Sequence, residues 1–290
     1  MKAERILPAG ATLGEGPVWR EDTGQLLWLD IDGKKLHFFS PETGGDAVLP
    51  LPEKPGSVCV AKSGALMLTL QDGVFRMEKN GRLTRFLDSP ERDFPENRFN
   101  DGKCDPQGRF WAGTINMAGK MGRAALYCIE GNGRCRAVLR EVSVSNGLAW
   151  SRDGKYFYYI DTPSGFLWRF DWDGETGSLK NRTALVDYRE EPGRLDGMTI
   201  DRNGNLWTAQ WGGFQVCCWD PLTGKKLEQI SLPVPYVSSC TFGGKHLDSL
   251  FITTASGKKA AAKTEYPESG DLFVCSPGVR GWNADLFADI

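Results

Sequence analysis

The chain of 290 residues carries 35 Lys and Arg against 37 Asp and Glu, and a formal charge of −2 offers no basic field for nucleic acid or an anionic membrane. No stretch approaches the roughly 20 apolar residues needed to cross a bilayer. The start, MKAERILPAGATLGEG, lacks the apolar core of a signal peptide, so a cytoplasmic protein is expected. Eight cysteines include no CxxC, which argues against zinc-ribbon and thioredoxin patterns and for buried free thiols such as Cys59 and Cys275 within apolar strands.

In chain order, AERILPA (3–9) comes first and is expected to form a strand. EGPVWREDTGQLLWLD follows from Glu15: a short apolar strand, a Gly-containing turn, then a second strand. KKLHFFS comes next, and its His37 reads as a packing or surface residue. GSVCVAKSGALMLTL repeats the pattern from Gly56, and NDGKCDPQGRFWAGT repeats it from Asn100. Arg98, just ahead, is either an exposed loop cation or a ligand contact. Asp101 either caps a turn or reaches a ligand hydroxyl. NGLAWSRDGKYFYYID begins at Asn146 and ends on Asp161, which is expected to fix the turn before Pro163 at the mouth of any channel. DGMTIDRNGNLWTAQ begins at Asp196, and Trp211 beyond it either walls a pocket or packs between sheets. SSCTFGGKHLDSLFITT begins at Ser238 and holds the second of only two histidines, His246, in its turn; two histidines exclude a His-rich metal site. Residues 256–270 are a mobile-loop candidate.

Successive units start 41, 44, 46, 50 and 42 residues apart, close to the period of a four-stranded propeller blade. Long helical periodicity is absent, and 35 Gly with 16 Pro suit many tight turns. The expected fold is all-β: one six-bladed β-propeller domain over 1–290, with four-stranded blades around a central channel. AERILPA closes the ring by adding a strand to the last blade. Trp19 and Trp150 share a repeat position and are expected in the core between sheets.

The first positions of the six units are Glu15, Gly56, Asn100, Asn146, Asp196 and Ser238. Equivalent positions near the start of innermost strands surround the channel at similar depth. Five of them bear oxygen, and Gly56 leaves room on one side. Such groups near a channel floor are costly unless satisfied, and a hard divalent cation satisfies carboxylates and amide oxygens. Oxygen-only ligands suit Ca, Mg or Mn, and Zn or Fe also accept them.

LGEGPVW (13–19), RFNDGKCDPQGRFWAGT (98–114), SNGLAWS (145–151), YYIDTP (158–163), LDGMTID (195–201) and SCTFGG (239–244) resemble the motifs of the regucalcin/gluconolactonase family of sugar lactonases. These stretches run over nearly the whole chain in family order. The resemblance implies a six-bladed propeller in which Glu15, Asn146 and Asp196 hold one divalent metal ion. It also implies that Arg98 and Asn100 contact a sugar lactone, and that Asp196 is the general base. The chain departs from the family after AGT, where regucalcin-like members place an acidic residue for substrate hydroxyls. Here INMAGKMG puts Met117 and Ala118 in that region.

Lactone hydrolysis needs a polarised carbonyl and an activated water, which a divalent metal and a carboxylate base supply. Arg98, Asn100 and Asp101 are candidates for positioning a hydroxyl-rich ring. The expected partner is a small sugar lactone, with no nucleic acid or membrane, for a monomer or small homo-oligomer. Two other readings use the same scaffold: a metal-dependent esterase or organophosphate hydrolase with a more apolar pocket, and a non-catalytic platform with a structural ion.

Overall fold

Alternating apolar runs separated by Gly, Asn and Asp turns build six antiparallel sheets of four strands each. In this computed structural model, residues 1–257 and 264–289 are described. Blade 1 spans 14–50, blade 2 spans 55–88, blade 3 spans 97–142, blade 4 spans 145–187 and blade 5 spans 194–231. Blade 6 is composite. Its strands Val237–Gly243, Ser249–Thr254 and Leu272–Cys275 take their fourth partner, Glu4–Leu7, from the other end of the chain. AERILPA therefore closes the ring, as expected from the need to join the last blade to the first. The 256–270 loop lies in part outside the described residues. No helix among the described residues is long and apolar enough to cross a membrane.

The core is divided among the blade interfaces. Leu27, Leu29, Val58 and Leu68 fill the space between blades 1 and 2, and Phe99, Phe110, Cys59 and Met67 that between blades 2 and 3. Trp111, Trp150 and Phe157 pack between blades 3 and 4, with the two indoles edge-on at 5.5 Å. Trp19 stacks on Phe251 between blades 1 and 6. Trp19 and Trp150 are thus core residues of successive sheet contacts, as their shared repeat position predicts. All eight cysteines are free; seven are buried and Cys135 is half-buried.

The repeated turns explain themselves. In DPQG and DRNG, Asp105 and Asp201 each accept backbone N–H groups two and four residues on, at 2.9 to 3.0 Å. Gly108 and Gly204 turn the chain with φ of +83° and +88°. The second carboxylate oxygen of each Asp accepts the indole N–H of Trp111 or Trp207. One side chain therefore caps a turn and satisfies a buried tryptophan. Blade 4 uses Ser151 for the turn, and its Trp150 indole N–H has no hydrogen-bond partner among the described residues. His37 is buried, lies 3.9 Å from the Trp28 ring and bonds Asp46 at 2.7 Å, so it packs; His246 is exposed.

Every innermost strand breaks register at the same place. The ladder skips between Glu15 and Val18, Pro55 and Val58, Phe99 and Gly102, Asn146 and Leu148, Leu195 and Met198, and Val237 and Ser239. A bulge bends its strand and re-aims a side chain. Here the bulges fall at the first positions of the six units, at one end of the channel.

Candidate functional site

The side chains at these bulges form a linked cluster around the axis. Asn100 donates from Nδ2 to the Asn146 Oδ1 at 3.0 Å and to the Ser145 carbonyl at 2.9 Å, joining blades 3 and 4. Asn146 donates to Thr162 Oγ1 at 2.8 Å, and Thr162 Oγ1 donates to the Leu195 carbonyl at 2.8 Å, reaching blade 5 beside Asp196. Arg98 donates to Asn100 Oδ1 at 2.9 Å and to the Phe99 carbonyl at 2.7 Å. Glu15 accepts only its neighbour's backbone N–H, from Gly16 at 3.0 Å, and Asp101 likewise accepts from Gly102 at 2.7 Å. Asp196 has no hydrogen-bond partner among the described residues.

Three carboxylates are therefore buried within electrostatic reach of one another. Burial, then the Asp101 charge, raises Glu15 from its usual 4.5 to about 8, against the opposing pull of the Gly16 N–H and Arg98. Burial, then Glu15 and Asp101, drives Asp196 well above the usual carboxylate range. Asp101 is raised by burial. The buried Arg98 guanidinium is lowered by desolvation and supported by Asp32 and Glu15. Two cations act on these three acids, Arg98 on Glu15 and Lys103 on Asp101, which leaves an excess of negative charge that desolvation penalises.

That donor set fits a hard divalent cation. Glu15 and Asp196 offer carboxylate oxygens, and the Asn146 carbonyl oxygen retains a second lone pair beyond the one Asn100 uses. The set is mixed: among the described residues no three His, Cys, Asp or Glu side chains gather closely enough to hold an ion by themselves.

Two first positions behave otherwise than expected. Ser238 turns its fully buried hydroxyl to the Gly14 carbonyl and to Thr253, so it ties blade 6 to blade 1 and leaves the channel. Gly56 does not make room for a ligand. A Cβ there would lie 2.7 Å from the Phe99 carbonyl carbon, so glycine permits the close approach of two inner strands. Asp161 does not fix the turn before Pro163. Its carboxylate accepts the Ser143 and Val144 N–H groups at 2.9 to 3.2 Å and anchors the link between blades 3 and 4. Asp101 caps within a strand bulge, not a turn, and Trp211 stacks on Tyr236 with ring centroids 4.7 Å apart.

Sequence reasoning passed over Thr162, although YYIDTP contains it. It also passed over Asp32, whose charge supports Arg98 across blades. Only a turn following a strand end marked the first, and no local signal marks the second. In the segment that departs from the family, Met117 is exposed, while Asn116 is buried and donates to Asn97 Oδ1 at 2.7 Å.

Residues 13–256 match the model of the SMP-30/Gluconolactonase/LRE-like region. The chain is 37% identical over 279 residues to the Bacillus subtilis protein named "Putative sugar lactone lactonase YvrE", covering 96% of both chains. It is 36% identical over 290 residues to regucalcin of Oryctolagus cuniculus, covering 97% of this chain and 96% of that one. Among solved structures it superposes on a calcium-binding protein, regucalcin, from Agrobacterium tumefaciens, with TM-score 0.93 and 26% identity over 99% of this chain and 97% of the other.

Proposed function

We propose that this chain, which belongs to the SMP-30/gluconolactonase/LRE-like family, is a metal-dependent lactonase that opens a sugar-derived lactone to the open-chain hydroxy acid. The observation that carries this reading is the group of buried acids at one end of the channel, Glu15, Asp101 and Asp196, which the Arg98 guanidinium and the Lys103 ammonium do not fully balance. A structural ion would not call for Arg98 and Asn100 beside it. The name of the Bacillus subtilis relative and the calcium binding of the Agrobacterium regucalcin support the same reading.

Glu15, Asn146 and Asp196 would hold the cation. When bound, a divalent ion supplies Lewis acidity toward an ester carbonyl and toward water. Burial and its acidic neighbours favour protonated Asp196, in which form it cannot accept a proton. With a divalent cation bound beside it, the Asp196 carboxylate would stay ionised and would take the proton of the attacking water. Arg98, through the guanidinium N–H groups not spent on Phe99 and Asn100, would donate toward the ring hydroxyls and the oxygen on which charge develops, and Asn100, whose two amide hydrogens go to Ser145 and Asn146, would offer its amide oxygen and hold Arg98 and Asn146 in place. The water oxygen would bond to the carbonyl carbon, the ring C–O bond would break, and the proton taken by Asp196 would pass to the released alkoxide oxygen, giving the open-chain hydroxy acid. No covalent nucleophile is required.

The test is a hydrolysis screen of aldonolactones at fixed pH, with chelated protein and Ca, Mg, Mn, Zn or Fe added back singly. Spontaneous ring opening is subtracted. Activity that returns with metal is the expected result. Full activity in the chelated protein would eliminate the metal-dependent mechanism, and no activity on any lactone would eliminate the lactonase.

A further inference from the structure

A cavity of about 580 Å3 opens beside the acid cluster, among the loops of blades 3, 4 and 5. Thr162 and Leu195 form its wall toward the centre; Thr162 is one hydrogen bond from Asn146, and Leu195 precedes Asp196. Lys120, Arg189 and Arg194 also line it, and no Asp or Glu does. Acids stand near two of these cations, and Glu190 adds its charge beside Arg189. Lys120 pairs with Glu96 at 3.0 Å. Arg189 pairs with Asp187 at 2.7 Å and lies over the Phe166 ring. Nearby Glu191 is taken by Lys226. Arg194 begins the inner strand of blade 5, is exposed, and has no ion-pair, hydrogen-bond or ring partner among the described residues. An unmatched guanidinium thus stands at the rim of a cavity that adjoins the reaction centre, two residues from Asp196.

We propose that the lactone opened here is itself an anion, carrying a carboxylate or phosphate monoester away from its ring carbonyl, and that Arg194, assisted by Lys120, receives that group in this cavity. The proposal rests on the lactonase reading. A planar guanidinium accepts either anion through two parallel N–H donors. On the lactonase reading the ester carbonyl lies at the axis, so a charged group elsewhere on the ring lies outward, where Arg194 stands.

The test compares kcat/KM for three probes with metal-loaded protein: glucono-δ-lactone (neutral), glucaro-1,4-lactone (carboxylate) and 6-phosphoglucono-δ-lactone (phosphate). Higher kcat/KM for one of the two anions is expected, and the better one names the source of the charge. Arg194→Gln should lower kcat/KM for that anion about 10-fold, through KM with kcat kept, because the contact holds ground state and transition state alike. It should change the neutral probe by less than about 2-fold, and Lys120→Gln should add a smaller loss. Added salt should weaken the anionic substrate selectively. Equal loss on neutral and anionic probes, or a neutral lactone preferred by the unaltered protein, overturns the proposal while leaving the lactonase intact. Failure to open any of a wider lactone set overturns both.

Discussion

The two ends of the central channel are built from the same six strands and do opposite things. At one end the strand bulges turn Glu15, Asn100, Asn146 and Asp196 inward, and buried acids accumulate with few hydrogen bonds among them. At the other end the carboxylates are spent on structure. Asp105 and Asp201 are fully buried and saturated by turn N–H groups and indoles. Lys103 projects into the channel and donates to the Met198 carbonyl at 2.7 Å. The segment 281–289 crosses below, with Gly281 bridged to Asp201, Asp285 paired with Arg152 at 2.9 Å and Phe287 fully buried. It leaves a cavity of about 60 Å3. The difference teaches that repetition makes the scaffold, while unsatisfied polarity marks the site. Where the carboxylates are answered the end is closed, and where charges are left unbalanced a ligand is expected.

That contrast can be broken from either side. The largest effect belongs to the closed end. Phe287→Ala removes a side chain buried between Phe86 and the inner strands and should cost about 3–5 kcal/mol, read from the denaturation midpoint. The kcat of the folded fraction should stay near that of the unaltered protein. A catalytic loss without a stability loss would show that the two ends are not separable.

At the open end, Asp196→Asn keeps shape and one oxygen while removing the base. Hydrolysis should fall by at least ~10²-fold and stay low at saturating metal. Glu15→Gln should instead act through metal affinity, with excess metal restoring part of the rate and part of the thermal midpoint. Full rescue of Asp196→Asn by metal would make Asp196 a ligand alone, and Asp101 the next candidate for the base.

A smaller and more diagnostic effect is pH-dependent. Glu15 is raised from 4.5 to about 8 in the folded chain, so between these values the metal-free fold holds a proton that the unfolded chain releases. Metal-free protein should therefore lose stability as pH rises through that window, and a bound divalent ion should remove the decline. Denaturant titrations of chelated and metal-loaded protein across pH 5 to 8 measure this directly; a flat profile in chelated protein contradicts the burial of ionisable Glu15. The smallest change is Arg152→Gln, which breaks a partly exposed pair with Asp285. It should cost within about 1 kcal/mol and leave turnover unaltered.

The sequence alone carried the architecture a long way. Six units at 41- to 50-residue spacing, each with a Gly-containing turn before a strand rich in Leu, Phe, Trp or Tyr, specify radial sheets because every sheet must cover its apolar faces on a neighbour. The first positions were legible too, since the registers Trp19–Leu26, Trp150–Phe157 and Ile200–Leu206 keep those units aligned in space. Tertiary structure decided which first positions face the axis. Ser238 looked equivalent to Asp196, but a hydroxyl is short and neutral and is satisfied by the carbonyl of Gly14 on the adjacent blade. Gly56 looked like vacated space and is a contact with Phe99. Asp161 looked like a turn residue and reaches back to two backbone N–H groups of the preceding link. The Asp32 charge beside Arg98, and the cavity gathering Lys120, Arg189 and Arg194, join loops far apart in sequence. Local pattern reports what one strand needs for its own burial and turns. Which charges end up facing each other depends on how the ring closes, and closure is a property of all six blades together.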